Sequence, residues 1–212
     1  MKYLKAYNKI FENIVTKLYY SHKDLTKLTK LPDTLITLYC NDNKLTELPK
    51  LPDTLEILFC DDNNLIKLPK LTNIFSYISC SNNYLTELPK LPNTLITLHC
   101  NYNKLTKLPN LPESVNTLYC SSNKLTELPK LPDTLKLLYC GNNNLTKLPK
   151  LPNTLKQLYC PDNKLTELPE LPDTLTLLHC YNNNLPYNDL DGYKKWYAET
   201  YPERIEAKKY NL

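Results

Sequence analysis

The sequence predicts a solenoid: one short coil repeated along an axis, with a parallel β-sheet on the concave face and an extended convex side. Three observations predict it. Cysteine recurs at 40, 60, 80, 100, 120, 140, 160 and 180, a 20-residue spacing without insertion or deletion. Leucine, or isoleucine at 78, stands two residues before each cysteine, and asparagine stands three after it, from Asn43 to Asn183. Leucine–proline pairs such as Leu48-Pro49 and Leu51-Pro52 follow at the same period. A fixed period of this length marks stacked supersecondary units, each of which buries its apolar face only against its neighbours.

The elements follow in chain order. Tyr3, Leu4, Tyr7, Ile10, Phe11 and Ile14 fall at helical spacing and predict an amphipathic helix over 2–13, so that residues 1–14 form a cap on the first coil. Residues 15–34 read as a worn repeat: Val15, Leu18, Tyr20, Leu25, Leu28 and Leu31 take the leucine positions, Lys23 replaces the asparagine and Thr29 the first proline. The repeats then run to residue 185. Within each, Leu38 and Cys40 alternate with Thr37, Tyr39 and Asn41, the period-two pattern of a strand with one buried face. Successive strands are expected to stack in parallel at about 4.8 Å. Leu45, Leu48 and Leu51 should point inward from the returning segment. Pro49 and Pro52 fix φ and donate no hydrogen bond, which suits an extended, polyproline-like side and not a helix. The repeated asparagine should bond the turn backbone as a ladder, and Asn and Asp supply the turns in a chain with only two glycines. Residues 186–212 read as a C-terminal cap. Asp191-Gly192 and Pro202 punctuate a tail carrying Tyr193, Trp196, Tyr197, Tyr201 and Ile205, which predicts one or two short helices. Such covers keep an open sheet edge from pairing with other chains.

The unit L-x-x-L-x-C-x-x-N-x-L-x-x-L-P-x-L-P-x-T resembles the leucine-rich repeat family over about residues 15–185. Its L-P-x-L-P half looks like the short LPX subtype of bacterial effectors. The Lys- and Asn-rich, Arg- and Gly-poor wording and the tyrosine-rich tail look more like the leucine-rich repeat proteins of giant, mimivirus-like amoeba viruses. The resemblance implies a leucine-rich repeat solenoid that works as a protein–protein interaction module, and for the viral group a setting in the host cytoplasm or the virion. The LPX effectors carry a catalytic cysteine domain after their repeats; residues 186–212 contain no cysteine, so that activity is not implied here.

Composition excludes several classes. A net charge of +4 with 23% charged residues excludes a strongly basic nucleic-acid arm or an acidic tail. Two glycines are too few for a phosphate-binding turn. No run approaches the length of a transmembrane helix. Met1-Lys2-Tyr3-Leu4-Lys5 has no apolar core of a signal peptide, so the expected location is intracellular and reducing. The cysteines admit three readings: a buried ladder of reduced thiols, disulfides between neighbours, or metal ligands. In-register side chains point the same way, which strains a bridge. A straight ladder brings no four ligands to one point, which zinc requires. The buried ladder is preferred, with thiol pKa values raised by burial, and no metal or cofactor is expected.

The outward faces are where function must lie. Immediately before the cysteines stand Tyr39, Phe59, Ser79, His99, Tyr119, Tyr139, Tyr159 and His179, an aromatic and imidazole stripe broken once. Unit 71–90 departs most from the consensus: Thr72 replaces proline, Phe75 and Ile78 replace leucines, and Tyr77 shifts an aromatic to the adjoining column. Ser76, Ser79 and Ser81 there read either as a polar notch that seats a partner side chain or as drift with Phe75 and Ile78 trading core volume; drift is preferred. The candidate partner-binding residues are Tyr39, Phe59, Tyr77, His99, Tyr119, Tyr139, Tyr159 and His179. Cross-strand stacking and a docking surface both account for the stripe, and the two are compatible. On the return side Lys27, Glu47, Lys67, Glu87, Lys107, Glu127, Lys147 and Glu167 alternate in sign. Lys30, Lys50, Lys70, Lys90, Lys130 and Lys150 form a like-charged row, partly balanced by Asp33, Asp53 and Asp133. A solvated face fits this better than a phosphate-binding stripe. His99 and His179 lie four repeats apart, about 19 Å along the sheet, and no catalytic set converges within two coils. The sequence therefore reads as a non-enzymatic solenoid that binds an unidentified partner protein on its concave aromatic face, a host protein if the viral resemblance holds. The alternatives are a structural, self-assembling solenoid, such as a virion component, and a polyanion binder through the lysine row.

Overall fold

The computed structural model describes residues 15–203. Nine three-residue strands follow the 20-residue period: β1 (Lys17–Tyr19), β2 (Thr37–Tyr39), β3 (Ile57–Phe59), β4 (Tyr77–Ser79), β5 (Thr97–His99), β6 (Thr117–Tyr119), β7 (Leu137–Tyr139), β8 (Gln157–Tyr159) and β9 (Leu177–His179). They form one parallel sheet in sequence order, in register throughout, with Leu38 beside Leu58 and Tyr39 beside Phe59. A parallel sheet needs its apolar face covered. Here each coil covers its own strand: Leu35, Leu38, Cys40, Leu45, Leu48 and Leu51 are all buried, and their counterparts continue the core along the axis. The helix expected over 2–13 lies outside the described residues.

The return segments, with their prolines, form neither helix nor strand. Where proline stands at 52 and its counterparts, the chain re-enters the sheet through a turn like that in which the Leu55 N–H donates to the Pro52 carbonyl at 3.1 Å. The Thr54 hydroxyl then donates to the Asp33 and Leu35 carbonyls of the preceding coil at 2.9 and 2.8 Å. Ile74 breaks this threonine ladder, and the buried Thr72 hydroxyl, standing where other units have proline, has no hydrogen-bond partner.

The asparagine ladder has a definite polarity. Asn63 donates from Nδ2 to the carbonyls of Cys60 and Asp61 in its own coil and of Cys40 in the coil before, at 3.0–3.2 Å. Its Oδ1 accepts the Leu45 N–H, again from the preceding coil. Each asparagine thus serves the loop behind it. That explains Lys23: Asn43 already accepts the Lys23 and Leu25 N–H groups and donates to the Tyr20 carbonyl. One residue earlier in each loop the chain is left-handed, with φ of 51–56° from Asp42 to Asn182. Asn and Asp tolerate that region, whereas Tyr102 and Ser122 occupy it because the coil demands it.

All eight cysteines are buried and free. The Cys60 thiol donates to the Ser79 carbonyl at 3.3 Å, the same oxygen that accepts the Cys60 N–H at 2.8 Å. Burial pushes the Cys40 and Cys100 thiols up to about 12.

At the far end the chain closes its own sheet edge. The Cys180 N–H donates to the Asn188 carbonyl, and His179 pairs with Asp189 as an antiparallel bridge. Asp189 then caps helix α1 (Leu190–Thr200), its carboxylate accepting the Gly192 N–H at 2.8 Å. Tyr187 is buried, and Tyr193 and Trp196 pack on the end of the core. Ile205 lies outside the described residues. No helix among them is long and apolar enough to cross a membrane.

Candidate functional site

The outward side chains of the nine strands and the loops that follow them make one continuous face. Because the sheet is in register, residues 20 apart line up as columns, and the column before the cysteines brings the predicted aromatics together as a stack. Tyr19, Tyr39 and Phe59 lie parallel at 4.9 Å between ring centroids. Tyr119 and Tyr139 stack at 4.5 Å, and Tyr139 and Tyr159 at 5.4 Å. His99 stands edge-on to Tyr119 at 4.5 Å, and His179 edge-on to Tyr159 at 5.5 Å. The ring spacing stays near the strand spacing, so the row is not compressed relative to its backbone.

One expectation is corrected: the row is not broken at Ser79. Of the two readings of unit 71–90, the open notch is not found. Tyr77 leans from the adjoining column into the gap, 4.8 Å from Phe59 and 5.4 Å from His99. Ser79 is buried beneath it and donates to Asp61 at 2.6 Å, and Asp61 also accepts the Ser81 N–H. The core side matches: Phe75 and Ile78 are both fully buried, so the unit exchanges volume within the core while Tyr77 repairs the outer face. The rings are also not an exposed apolar surface. From Tyr39 to His179 the row is partly buried by its own stacking, whereas terminal Tyr19 is 61% exposed. Ring faces meet in the parallel stacks, and an edge meets a face where His99 and His179 join the row.

The tyrosine hydroxyls carry a polar network. Tyr139 donates to Gln157 Oε1, and the Tyr159 and Tyr181 hydroxyls share a 2.8 Å hydrogen bond, which with burial pushes Tyr159 up to about 12. The Tyr77 hydroxyl lies 3.4 Å from His99 Nδ1. Burial lowers the His99 pKa, partly opposed by Asp61, and raises that of Tyr77. Ser79 binds Asp61 while His99 faces Tyr77, so serine and histidine are not aligned as nucleophile and base.

Reading one column missed two members. Tyr19 ends the row at the position 20 residues before Tyr39, a signal hidden because Tyr20 stands in the cysteine place of the worn repeat. Tyr181 joins the far end from the next column, 6.4 Å from both Tyr159 and His179.

On the return side, no residue of the alternating Lys27–Glu167 column forms an ion pair within 4.0 Å among the described residues; the column avoids like-charge stacking without closing contacts. In the lysine row, Lys30 pairs with Asp33 at 4.0 Å and Lys130 with Glu113 at 3.6 Å. Open grooves of about 600–870 Å³ recur there, one bounded by Lys130 and Lys150 and another by Lys50 and Lys70.

No protein-family model and no curated protein matches the chain. Solved structures do. YopM from Yersinia enterocolitica WA-314 superposes with a TM-score of 0.78 at 40% identity, over 79% of this chain and 38% of that one. YopM from Yersinia pestis, a leucine-rich effector protein, gives 0.78 and 40% over 80% of this chain and 50% of that one. The functional domain of InlJ from Listeria monocytogenes, which includes a cysteine ladder, gives 0.58 and 31% over 80% of this chain and 44% of that one. The chain thus spans half or less of the length of these proteins. The period, the in-register parallel sheet and these likenesses agree: the chain has the leucine-rich repeat fold, built from 20-residue repeats.

Proposed function

We propose that the chain is a non-enzymatic interaction module that binds a partner protein through its sheet face, the side expected to be concave. The observation that carries this reading is the unbroken ring row from Tyr19 to His179, which lines up rings and hydroxyls along nine strands. Tyrosine is a preferred anchor of protein interfaces because a rigid, amphipathic ring offers contact area and a hydrogen bond at low entropic cost. The likeness to a leucine-rich effector protein supports the same reading. The partner is of host origin in this reading, and the setting is a reducing one, the host cytoplasm or the virion. Eight unpaired thiols support the reducing compartment, and the composition and tyrosine-rich tail support the giant-virus relationship.

The test is capture from cell lysate by wild type and by Tyr119→Ala/Tyr139→Ala/Tyr159→Ala, with the fold of the variant verified by circular dichroism and melting. A protein held by wild type and lost by the variant is the expected result. Equal capture by both removes the sheet face as the docking surface. Capture by neither, with a mass that rises with concentration, leaves a self-assembling solenoid.

A further inference from the structure

One column of the return side alternates in sign and another is a lysine row, whereas on the sheet face the carboxylates gather at β2 and β3 and the lysines toward β7 and β8, with Lys17 on β1, Lys44 and Asp162 as the exceptions. The acidic end is at β2 and β3. Asp42, Glu56 and Asp62 are exposed there, and Asp61 is turned inward onto Ser79 and Ser81. The nearest lysine of that end, Lys44, is already taken by Asp24 at 2.8 Å. The basic end centres on β7 and β8, where Lys136, Lys156 and Lys164 are exposed, and the column of Lys164 extends it back through exposed Lys124 and Lys104 in the coils of β6 and β5. Lys136, Lys156 and Lys164 form no ion pair within 4.0 Å among the described residues. One exposed carboxylate, Asp162, stands among them and accepts from Asn182 as Asp62 accepts from Asn82 at the acidic end, so the basic end keeps a net positive charge. The strands between them, β4, β5 and β6, carry no carboxylate or ammonium group.

Four strand intervals separate β3 from β7, about 19 Å. That exceeds the screening length of about 8 Å at physiological ionic strength, so each end is felt separately by whatever lies along the face. The ring row runs between the two ends and supplies contact area.

We infer that the occupant of the sheet face is an extended protein segment of mixed charge, with a basic cluster seated over β2 and β3 and an acidic cluster over β7 and β8. This rests on the sheet face being the docking surface, and adds the chemistry and direction of what docks. Matched charges steer encounter and fix register, and the opposite orientation sets like charges against each other at both ends.

The probes are three fluorescent peptides: six lysines, six glutamates, and the two blocks joined by a flexible linker able to span about 19 Å. They are titrated at about 50 mM salt against the full chain. The joined peptide should bind wild type at least about tenfold tighter than the better single block, because the second contact is intramolecular. Glu56→Lys/Asp62→Lys should remove the lysine-block contribution alone, and Lys136→Glu/Lys156→Glu the glutamate-block contribution alone. All four side chains are exposed, so Lys136→Glu/Lys156→Glu and Glu56→Lys alone should melt like wild type. Asp62→Lys, at a left-handed position that aspartate tolerates, should lower the melting temperature slightly, and Glu56→Lys alone is the control for fold. A joined peptide that binds no tighter than a single block, or that is indifferent to both variants, overturns the inference. Lysate capture lost on the tyrosine variant together with failed peptides overturns the charge assignment alone. Capture indifferent to the tyrosine variant overturns the docking face itself.

Discussion

Single residues in this chain act across coils, so their substitutions report on stacking and not on local structure. Asn123 donates to the carbonyls of Cys100, Cys120 and Ser121 and accepts the Leu105 N–H. Removing it strands buried backbone groups in two coils, and Asn123→Ala is expected to cost about 3 kcal/mol or more. Lys23 holds the same position in the first described coil, where Asn43 already accepts its N–H, so Lys23→Asn should stay within about 0.5 kcal/mol. Denaturant unfolding of the two variants checks the polarity of the ladder. Gly141 shows a second kind of cross-coil dependence. In this column Asn101 accepts the Ser121 N–H and Asp61 the Ser81 N–H, but Pro161 has no N–H to offer Gly141. Its ring fills the space instead: a Cβ on Gly141 would meet Pro161 Cδ at 2.9 Å. Gly141→Ala should therefore destabilise by about 1–3 kcal/mol, and Pro161→Ser should recover most of that in a double-mutant cycle.

At the scale of the element, the ring row couples neighbouring strands by stacking worth a few tenths to about 1 kcal/mol per pair. His99 makes this coupling sensitive to pH. It sits edge-on between Tyr77 and Tyr119, half-buried, and burial holds its pKa below the ordinary value of about 6.5. The unfolded chain then binds the proton more readily than the folded one. Stability contributed by neutral His99 is complete above about pH 6.5 and falls as pH drops through that value toward the folded pKa. The denaturant midpoint should decline between about pH 7 and pH 5, and His99→Tyr, which restores the consensus ring of the column, should flatten that part of the decline. Unit 71–90 belongs to this scale too. The substitutions at 75, 77, 78 and 79 each look disruptive in isolation, yet the element keeps its register with both neighbours and its row of rings.

For the whole molecule, every coil is buried by the next, and the thiols lie at the centre of that arrangement. With thiol pKa values pushed to about 12 at Cys40, Cys100 and Cys180, almost none is thiolate near neutral pH. A thiol-specific disulfide reagent should label the native chain only at the rate of unfolding, and all eight cysteines promptly in denaturant. Prompt native labelling of the interior cysteines would show the coils opening independently of one another, as a quasi-one-dimensional array permits.

The sequence by itself determined the period, the strand positions, the inward leucines and cysteines, a return side without helix and most members of the aromatic column. Each is set by a local rule repeated many times: alternation in a strand, the fixed φ of proline, one asparagine per turn. Repetition in register turns such rules directly into columns, so the face was legible as soon as the coil was. Only the tertiary structure decided how side chains from different columns settle against one another. Tyr77 crosses into the gap above Ser79, Tyr181 joins Tyr159 through its hydroxyl, Asp61 turns inward, and the rings meet face to face in the parallel stacks. Those outcomes depend on side-chain volume and rotamer at contacts 18 to 22 residues apart, which a column of letters does not encode. They fix what the face can offer a partner: a rigid row of rings and hydroxyls between an acidic end and a basic one.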